Sequence, residues 1–276
     1  MRTFPALLVA ALALGPTAAA AKPSAGAGKG GACGATVLPL KEGNSWTYTF
    51  VPAPAPAPRE IAPIAPPAAK TIVVSVKSVE TKGAETVVNL EEKVTYELKS
   101  TDGKKAPLDE RVVNTTITCG GKKLDISPES FFFAGEPGGF GGLTIDKLER
   151  KGTSLQLTKG TIGEQPWPED LVIQWTHKPS EGVSVQHDAG KLEMERRFQP
   201  QMPEQLSTKA GSYRTEKLIL SVTGRVTLAK PISPVPRPTE VPAGWMSQLW
   251  FAEGTGLVQA LNHYAHMYQL VESTVK

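Results

Sequence analysis

The sequence has only two cysteines among its 276 residues, and it has no paired Cys or His spacing typical of a zinc site. We therefore predict no metal and no cofactor. The sequence also has no large excess of positive or negative charge, because 30 Lys and Arg residues nearly balance 27 Asp and Glu residues. Without a basic stripe, nucleic-acid binding is not expected. The sequence also lacks the uncharged apolar run of about 20 residues that a membrane-spanning helix needs, so we expect no transmembrane segment.

The first 21 residues have the pattern of a secretory signal peptide. Arg2 precedes the short apolar run 7–14, and small residues follow up to Ala21. We expect an exported protein, periplasmic or secreted. Lipidation is not expected, because the first cysteine, Cys33, lies well past the apolar run. Residues 22–35 are rich in Gly, Ala, Lys and Pro and predict a flexible lead-in.

The two cysteines, Cys33 and Cys119, are best explained as a pair. Exported proteins form disulfides, and an even count leaves no thiol over. A Cys33–Cys119 disulfide is therefore predicted, with two free buried thiols as the alternative.

Apolar residues at every second position predict strands through most of the chain. The clearest example runs from Leu218 to Leu228, with an opposite face of Ser, Thr and Arg. One buried face and one wet face are typical of antiparallel sheets. Near the end, Glu253–Gly256 predicts a hairpin turn that places Trp250 and Phe251 against Leu257 and Val258.

These strands predict an all-β, mainly antiparallel fold. Gly-rich turns between long consecutive strands favour a single curved sheet, that is, a half or open β-barrel, and the alternative is a two-sheet sandwich. We predict one β domain over 36–276, with Pro-rich excursions at 52–69 and 230–243. Little helix is expected beyond a short turn over Phe131–Phe133, after Ser127 and Pro128.

Catalytic chemistry has weak support in the sequence. Glu193 and Glu195 lie two apart on a predicted strand, a spacing compatible with paired carboxylates of glycoside hydrolysis. The same alternation turns both towards solvent beside Arg197, so we interpret them as salt-bridged surface residues. His263 and His266, with the other two histidines, lack metal-ligand spacing. No catalytic residue is predicted.

Two segments resemble a known group of proteins. Leu38-Pro-Leu40-x-x-Gly43-x-x-Trp46-x-Tyr48 and Leu249-Trp-Phe-Ala-x-Gly254-x-Gly256-Leu-Val258 are similar to signatures of uncharacterised exported bacterial proteins, the DUF3108/TapB-like set. The sheet of that set is similar to the half-barrels of the LolA/LolB lipoprotein carriers. The resemblance implies a curved antiparallel sheet in the bacterial envelope and no catalytic residues.

We therefore expect a non-enzymatic envelope protein that binds an apolar ligand or a protein partner on its concave sheet. The sequence identifies neither the partner nor the oligomeric state. The aromatic residues predicted to line that face are Phe131, Phe132, Phe133, Phe140, Trp167 and Trp175. Two alternatives stay open. These aromatics complete the core of a purely structural or interaction domain, or the protein is a hydrolase with an unfamiliar site that includes Glu193, Glu195 or the histidines.

Overall fold

The computed structural model describes residues 32–53, 67–97, 108–137, 143–177, 189–228 and 240–276. These ranges contain fifteen strands and one short helix. The elements are β1 Ser45–Val51, β2 Ala69–Lys82, β3 Glu85–Glu97, β4 Leu108–Gly120, β5 Lys123–Ile126, α1 Phe131–Ala134, β6 Leu143–Gly152, β7 Leu155–Thr158, β8 Thr161–Ile162, β9 Trp167–His177, β10 Ala189–Pro200, β11 Glu204–Thr208, β12 Gly211–Leu228, β13 Glu240–Ala252, β14 Gly256–Leu261 and β15 Met267–Thr274.

The strands form one large curved sheet that does not close. Its order is β6-β9-β10-β12-β13-β14-β15-β1-β2-β3-β4-β5-β7-β8, and β11 pairs with β12 outside this path. The pairings are antiparallel, as in the contacts of β12 with β13 and of β2 with β3. The predicted single curved antiparallel sheet is confirmed, and the two-sheet sandwich is not the architecture observed.

The predicted alternation of buried and exposed residues is confirmed. On β12, Leu218, Leu220 and Val222 are buried, and their cross-strand neighbour Leu249 on β13 is buried with them. Trp46 on β1 lies on the same buried side of the sheet. This continuous apolar face is the hydrophobic core of the described residues.

The predicted hairpin is also present, with one irregularity. β13 ends at Ala252, β14 begins at Gly256, and Phe251 pairs with Leu257 as expected. The register shifts between Trp250 and Phe251 because Val258 of β14 is left over, so that Trp250 pairs with Gln259 instead of Val258. An extra residue in one strand is the usual cause of such a shift, and it bends the strand locally.

The ends of the two predicted excursions differ from the pattern. β2 begins at Ala69 and β13 begins at Glu240, so the end of the 230–243 segment belongs to a strand. Pro242 pairs with Arg225 there, in the half of β13 that β14 does not reach. Proline is tolerated at such a position because a missing amide costs nothing on an unpaired edge. Residues 54–66 and 229–239 lie outside the described ranges.

The described end of the predicted lead-in, residues 32–35, contacts the core through Cys33 and Ala35, whereas Ala32 and Gly34 are exposed. Ala35 is fully buried, and the amide of Thr36 donates to the carbonyl of Gly160 at 2.8 Å. The Sγ atoms of Cys33 and Cys119 lie at disulfide distance, with their Cα atoms 5.7 Å apart. This cross-link would attach the start of the packed chain to the end of β4. The signal-peptide segment, residues 1–21, lies outside the described residues.

None of the helices that the structure describes is long and apolar enough to cross a membrane. α1 is the predicted helical turn, but its N-cap is Ser130 and not Ser127. The Ser130 hydroxyl accepts a hydrogen bond from the amide of Phe132, and Gly135 closes the helix in the left-handed conformation.

Candidate functional site

Helix α1 occupies the concave side of the curved sheet. Phe131 packs against Tyr48 and Tyr268, with ring centroids 4.8 and 5.8 Å apart, and Phe132 meets Trp46 edge-on at 5.6 Å. All three phenylalanines of the helix are buried. A single helical turn fills this space because three large aromatic rings project from it in different directions, and each packs against different neighbours.

A buried carboxylate holds the start of α1. Glu92 on β3 accepts hydrogen bonds from the hydroxyls of Ser130 and Thr115, at 2.6 and 3.0 Å, and from the amide of Phe131. These donors include an amide that the short helix cannot satisfy internally. Burial raises the pKa of Glu92 to about 7 despite these hydrogen bonds.

A buried arginine holds the other end of α1. Arg196 on β10 donates to the carbonyl of Phe133 at 2.6 Å and lies over the Phe133 ring at 3.5 Å. It also donates to the Glu169 carboxylate at 2.7 Å, and neither side chain of this ion pair is exposed by more than 1%. Burial lowers the pKa of Arg196 to about 10, so the guanidinium is still charged at neutral pH.

The contacts of α1 with Glu92 and Arg196 explain why the sheet must curve. Six strands lie between β10 and β3 in the sheet order. With about 4.8 Å between neighbouring strands, a flat sheet would separate β10 from β3 by about 34 Å. One turn of helix rises only about 5.4 Å. β3 and β10 can both contact α1 only because the sheet wraps around it.

The structure locates most of the aromatic residues that were predicted to line a ligand site. Phe131, Phe132 and Phe133 fill the concave side, as described above. Trp167 stacks on Phe198 at 5.0 Å and donates to the carbonyl of Thr153, and Trp175 is also buried. Phe140 lies outside the described residues. Ligand binding by this set stays a prediction, and its contacts in the structure are with the protein itself.

A pocket opens where the C-terminal end of α1 reaches the rim of the sheet. Its volume is about 230 Å³. We call it the rim pocket, and it is lined by Pro128, Ser130, Phe133, Ala134, Glu136, Trp245, His263 and Tyr264. Of the predicted lining residues that the structure describes, Phe133 is the one that belongs to it.

Glycine at position 135 places Glu136 in the rim pocket. Gly135 adopts φ +72°, and a Cβ there would lie 2.6 Å from the Cβ of Ala260. Both the left-handed backbone and the close approach therefore require glycine. The chain leaves α1 at this point and presents the Glu136 side chain at the pocket, with 27% of its surface exposed.

The turn between β14 and β15 supplies His263 and Tyr264. The side-chain oxygen of buried Asn262 accepts hydrogen bonds from the amides of Tyr264 and His266, both at 3.0 Å. Ala265 completes the turn with a positive φ of 59°. An Asn side chain that replaces backbone partners in this way fixes the conformation of a turn.

Three aromatic rings form one wall of the rim pocket. The His263 ring lies 3.8 Å from the Tyr264 ring and 5.5 Å from the Trp245 ring, measured between centroids. Trp245 comes from β13, where it pairs with Val222 of β12. The wall therefore joins a strand and a turn that are separated in sequence.

The polar side chains that line the rim pocket are those of Ser130, Glu136, His263 and Tyr264. The Nδ1 atom of His263 is 3.4 Å from the Glu136 carboxylate but makes no hydrogen bond within the described part of the chain. Burial raises the pKa of Glu136 to about 7. Burial and the nearby His266 lower the pKa of His263 to about 4. The imidazole is therefore neutral at neutral pH, and the carboxyl group is close to its titration midpoint.

The two glutamates considered as a catalytic pair lie on the other face of the sheet. Glu193 accepts hydrogen bonds from Lys191 at 2.7 Å and Arg225 at 2.9 Å, and Glu195 accepts one from Arg197 at 2.6 Å. The two basic partners lower the pKa of Glu193. These contacts agree with the interpretation of Glu193 and Glu195 as salt-bridged surface residues.

Most of the rim pocket is not visible in the sequence. Glu136 follows a glycine in a segment with no strand alternation, and Trp245 lies near the predicted Pro-rich excursion. In the sequence, His263 suggests only a metal ligand or part of an unfamiliar hydrolase site, and the described residues contain no cluster that could hold a metal ion. A weak signal exists in the turn Asn262–His266, where Asn followed by two aromatic side chains marks an ordered, partly exposed loop.

Comparison with known proteins gives little beyond these observations. No protein-family model and no curated protein matches the chain, so the DUF3108/TapB-like resemblance has no such support. Two solved structures are similar to it. One is a candidate lipoprotein of Parabacteroides distasonis, with 12% identity and a TM-score of 0.44, and the other is a candidate exported protein with a YmcC-like fold from Bacteroides fragilis, with 11% identity and a TM-score of 0.45. Each match covers 86% of this chain and 98% of the other.

Proposed function

We propose that this protein is an exported, non-enzymatic envelope protein that binds a small, partly apolar group in the rim pocket. Export is supported by the signal-peptide pattern of residues 1–21 and by the Cys33–Cys119 contact. The observation that carries binding is the pocket itself, with an aromatic wall, a carboxyl group and an imidazole nitrogen that has no hydrogen-bond partner among the described residues. Concave sites with few converging polar groups are typical of ligand binding.

The size of the rim pocket limits what it receives. Its volume of about 230 Å³ is below the roughly 300–1,000 Å³ of common ligand sites. The concave side that a lipid carrier would use is filled by the phenylalanines of α1. We therefore propose that the pocket takes one ring, one head group or one side chain of a larger molecule, and not a whole lipid.

Binding is a better explanation of the rim pocket than catalysis. Glu136 and His263 have shifted pKa values, which is common in active sites. A hydrolase would also need a nucleophile or an activated water. The lining hydroxyl of Ser130 donates to Glu92 and accepts from the amide of Phe132, so it is occupied as a helix cap.

The test is a screen of small aromatic and aliphatic compounds, charged and neutral, by ligand-observed NMR. We expect at least one compound to bind the wild type and to lose binding in Trp245→Ala. The matched control is Met246→Ala, since Met246 is the next residue on β13 and is exposed on the opposite face. The proposal would be overturned if Trp245→Ala left the affinity unchanged, or if no compound bound to the folded protein. Turnover of a hydrolase substrate that Glu136→Gln abolishes would replace binding with catalysis.

A further inference from the structure

We propose that the rim pocket recognises an ammonium cation, a primary amine or a quaternary ammonium head group, with Glu136 as its counter-ion. This inference rests on the proposed binding function and specifies its ligand class. The geometric basis is a carboxyl group that lines the same small pocket as the rings of Phe133, Trp245 and Tyr264.

The first argument is the charge balance around Glu136. Among the described residues, no Lys or Arg nitrogen lies within 4.0 Å of its carboxylate, and the only basic neighbour at that distance is His263. That imidazole is neutral at neutral pH because burial lowers its pKa to about 4. A partly buried carboxylate without a cation is costly, and a bound cation removes that cost.

The second argument is the contrast with the other buried carboxylates. Glu169 has Arg196 at 2.7 Å and Arg150 at 3.3 Å, and Glu92 accepts hydrogen bonds from three donor groups of the protein. The protein therefore satisfies these carboxylates internally. Glu136 is the one whose partner within the described residues is a neutral ring and whose side chain stays accessible from the pocket.

The third argument is the aromatic lining. Ring faces attract ammonium groups within about 6 Å of the centroid, most strongly for Trp and Tyr. Arg196 already occupies one face of Phe133 at 3.5 Å, which shows that a cation is accommodated against this ring. The Arg196 charge is balanced by Glu169, so it does not neutralise Glu136. Trp245 and Tyr264 are the rings expected to contact the ligand.

The charged and titratable groups around Glu136 set the expected pH dependence. His263 and Tyr264 come from the β14–β15 turn, Tyr96 from β3 and Tyr268 from β15. Burial raises the pKa of each of the three tyrosines, so they are neutral below pH 8. His266 of the same turn has a pKa lowered by burial, so Glu136 is the lining group that changes charge between about pH 6 and pH 8. Buried Glu92, which binds the Ser130 hydroxyl, also has a pKa of about 7, so any effect of its ionisation on the pocket must be measured with a neutral ligand.

The experiment compares choline with its neutral isostere, 3,3-dimethyl-1-butanol, by NMR titration of the full folded chain. We expect choline to bind at least about 10-fold more tightly at pH 8. Because the pKa of Glu136 is about 7, the ionised fraction falls from about nine-tenths at pH 8 to about one-tenth at pH 6, so choline affinity should fall about 10-fold relative to that of the isostere.

Variants separate the carboxyl from the pocket. Glu136→Gln should reduce choline affinity to that of the isostere. Glu129→Gln removes the same charge from the same segment, but Glu129 does not line the pocket and its change should leave binding intact. If Glu136→Gln unfolds the chain, the pH series on the wild type still decides the question.

The outcomes distinguish this inference from the function on which it rests. Equal binding of choline and its isostere overturns the ammonium proposal while the pocket is still a binding site. Binding of neither compound, nor of any other in the wider screen, overturns both. If choline binds as expected, binding to phosphatidylcholine vesicles is then compared with binding to phosphatidylglycerol vesicles. Selective binding to the phosphatidylcholine vesicles indicates a lipid head group as the ligand, and binding of free choline alone indicates a soluble amine.

Discussion

The buried ion pair between Glu169 and Arg196 offers a direct test of how α1 is held. Glu169→Gln leaves the Arg196 guanidinium buried with the Phe133 carbonyl as its hydrogen-bond acceptor, and its Nε atom has no partner among the described residues. Removing one member of a buried pair typically costs about 3–5 kcal/mol because the other charge stays buried. We expect a loss in that range.

The reverse change should be less damaging. Arg196→Met leaves Glu169 with Arg150 at 3.3 Å and the Ser154 hydroxyl at 3.1 Å, so the carboxylate keeps partners. We therefore expect a loss of about 2–3 kcal/mol, which includes the lost contact with the Phe133 carbonyl. In the double variant neither charge is stranded, and the combined loss should be about 2 kcal/mol smaller than the sum of the single losses.

The assay is urea unfolding at neutral pH, followed by tryptophan fluorescence, with the midpoint and slope fitted for each variant. The matched control is the pair Glu195→Gln and Arg197→Met, which lies on the exposed face of the same strand with a contact of 2.6 Å. An exposed pair of this kind should contribute about 0–1 kcal/mol. Additivity of the Glu169 and Arg196 changes to within about 0.5 kcal/mol would refute the reasoning.

Three further predictions concern other parts of the core. Burial raises the pKa of Glu92 in the folded state to about 7 from 4.5, so its favourable contribution to folding stability is present below pH 4.5 and is lost as the pH rises through 7. Between pH 5 and pH 8, the wild type should therefore lose about 2–3 kcal/mol of stability relative to Glu92→Gln. A difference in urea unfolding that stays constant with pH would contradict this. Leu220→Ala removes a fully buried side chain and should cost about 2–5 kcal/mol by the same assay, whereas Met246→Ala, at an exposed position, should cost less than 1 kcal/mol. Mass spectrometry of unreduced native protein should show Cys33 and Cys119 linked, and two alkylatable thiols would disprove the pairing.

The sheet was predictable because its signal is local. Side chains of a strand alternate between its two faces, so the spacing alone predicts one shared face for Leu218, Leu220 and Val222. This prediction needs no information about the rest of the chain. The hairpin at Glu253–Gly256 is equally local. The bulge beside Trp250 was not predictable, because it depends on how β14 bends to continue into β15.

The positions of the buried charged residues could be predicted in part from the sequence. Glu92 stands between Leu90 and Val94, and Arg196 between Met194 and Phe198, so the alternation alone places both charges on the buried face. What the sequence does not reveal is their partner. Both reach α1, which lies far from each of them along the chain, and a period-two pattern carries no information on such contacts.

The rim pocket depends on the same long-range contacts. Glu92 fixes the first residue of α1 and Arg196 fixes the third, from strands that a flat sheet would hold about 34 Å apart. Phe133 and Glu136 of the pocket belong to this turn or follow it directly. Trp245 comes from β13 of the sheet that wraps around it, and Tyr264 comes from the turn between β14 and β15. The pocket therefore forms only when the curved sheet holds α1 in this position. It follows that Glu169→Gln, which touches no lining residue directly, should weaken ligand binding as well as stability, because it removes the carboxylate that positions Arg196 against the carbonyl end of α1.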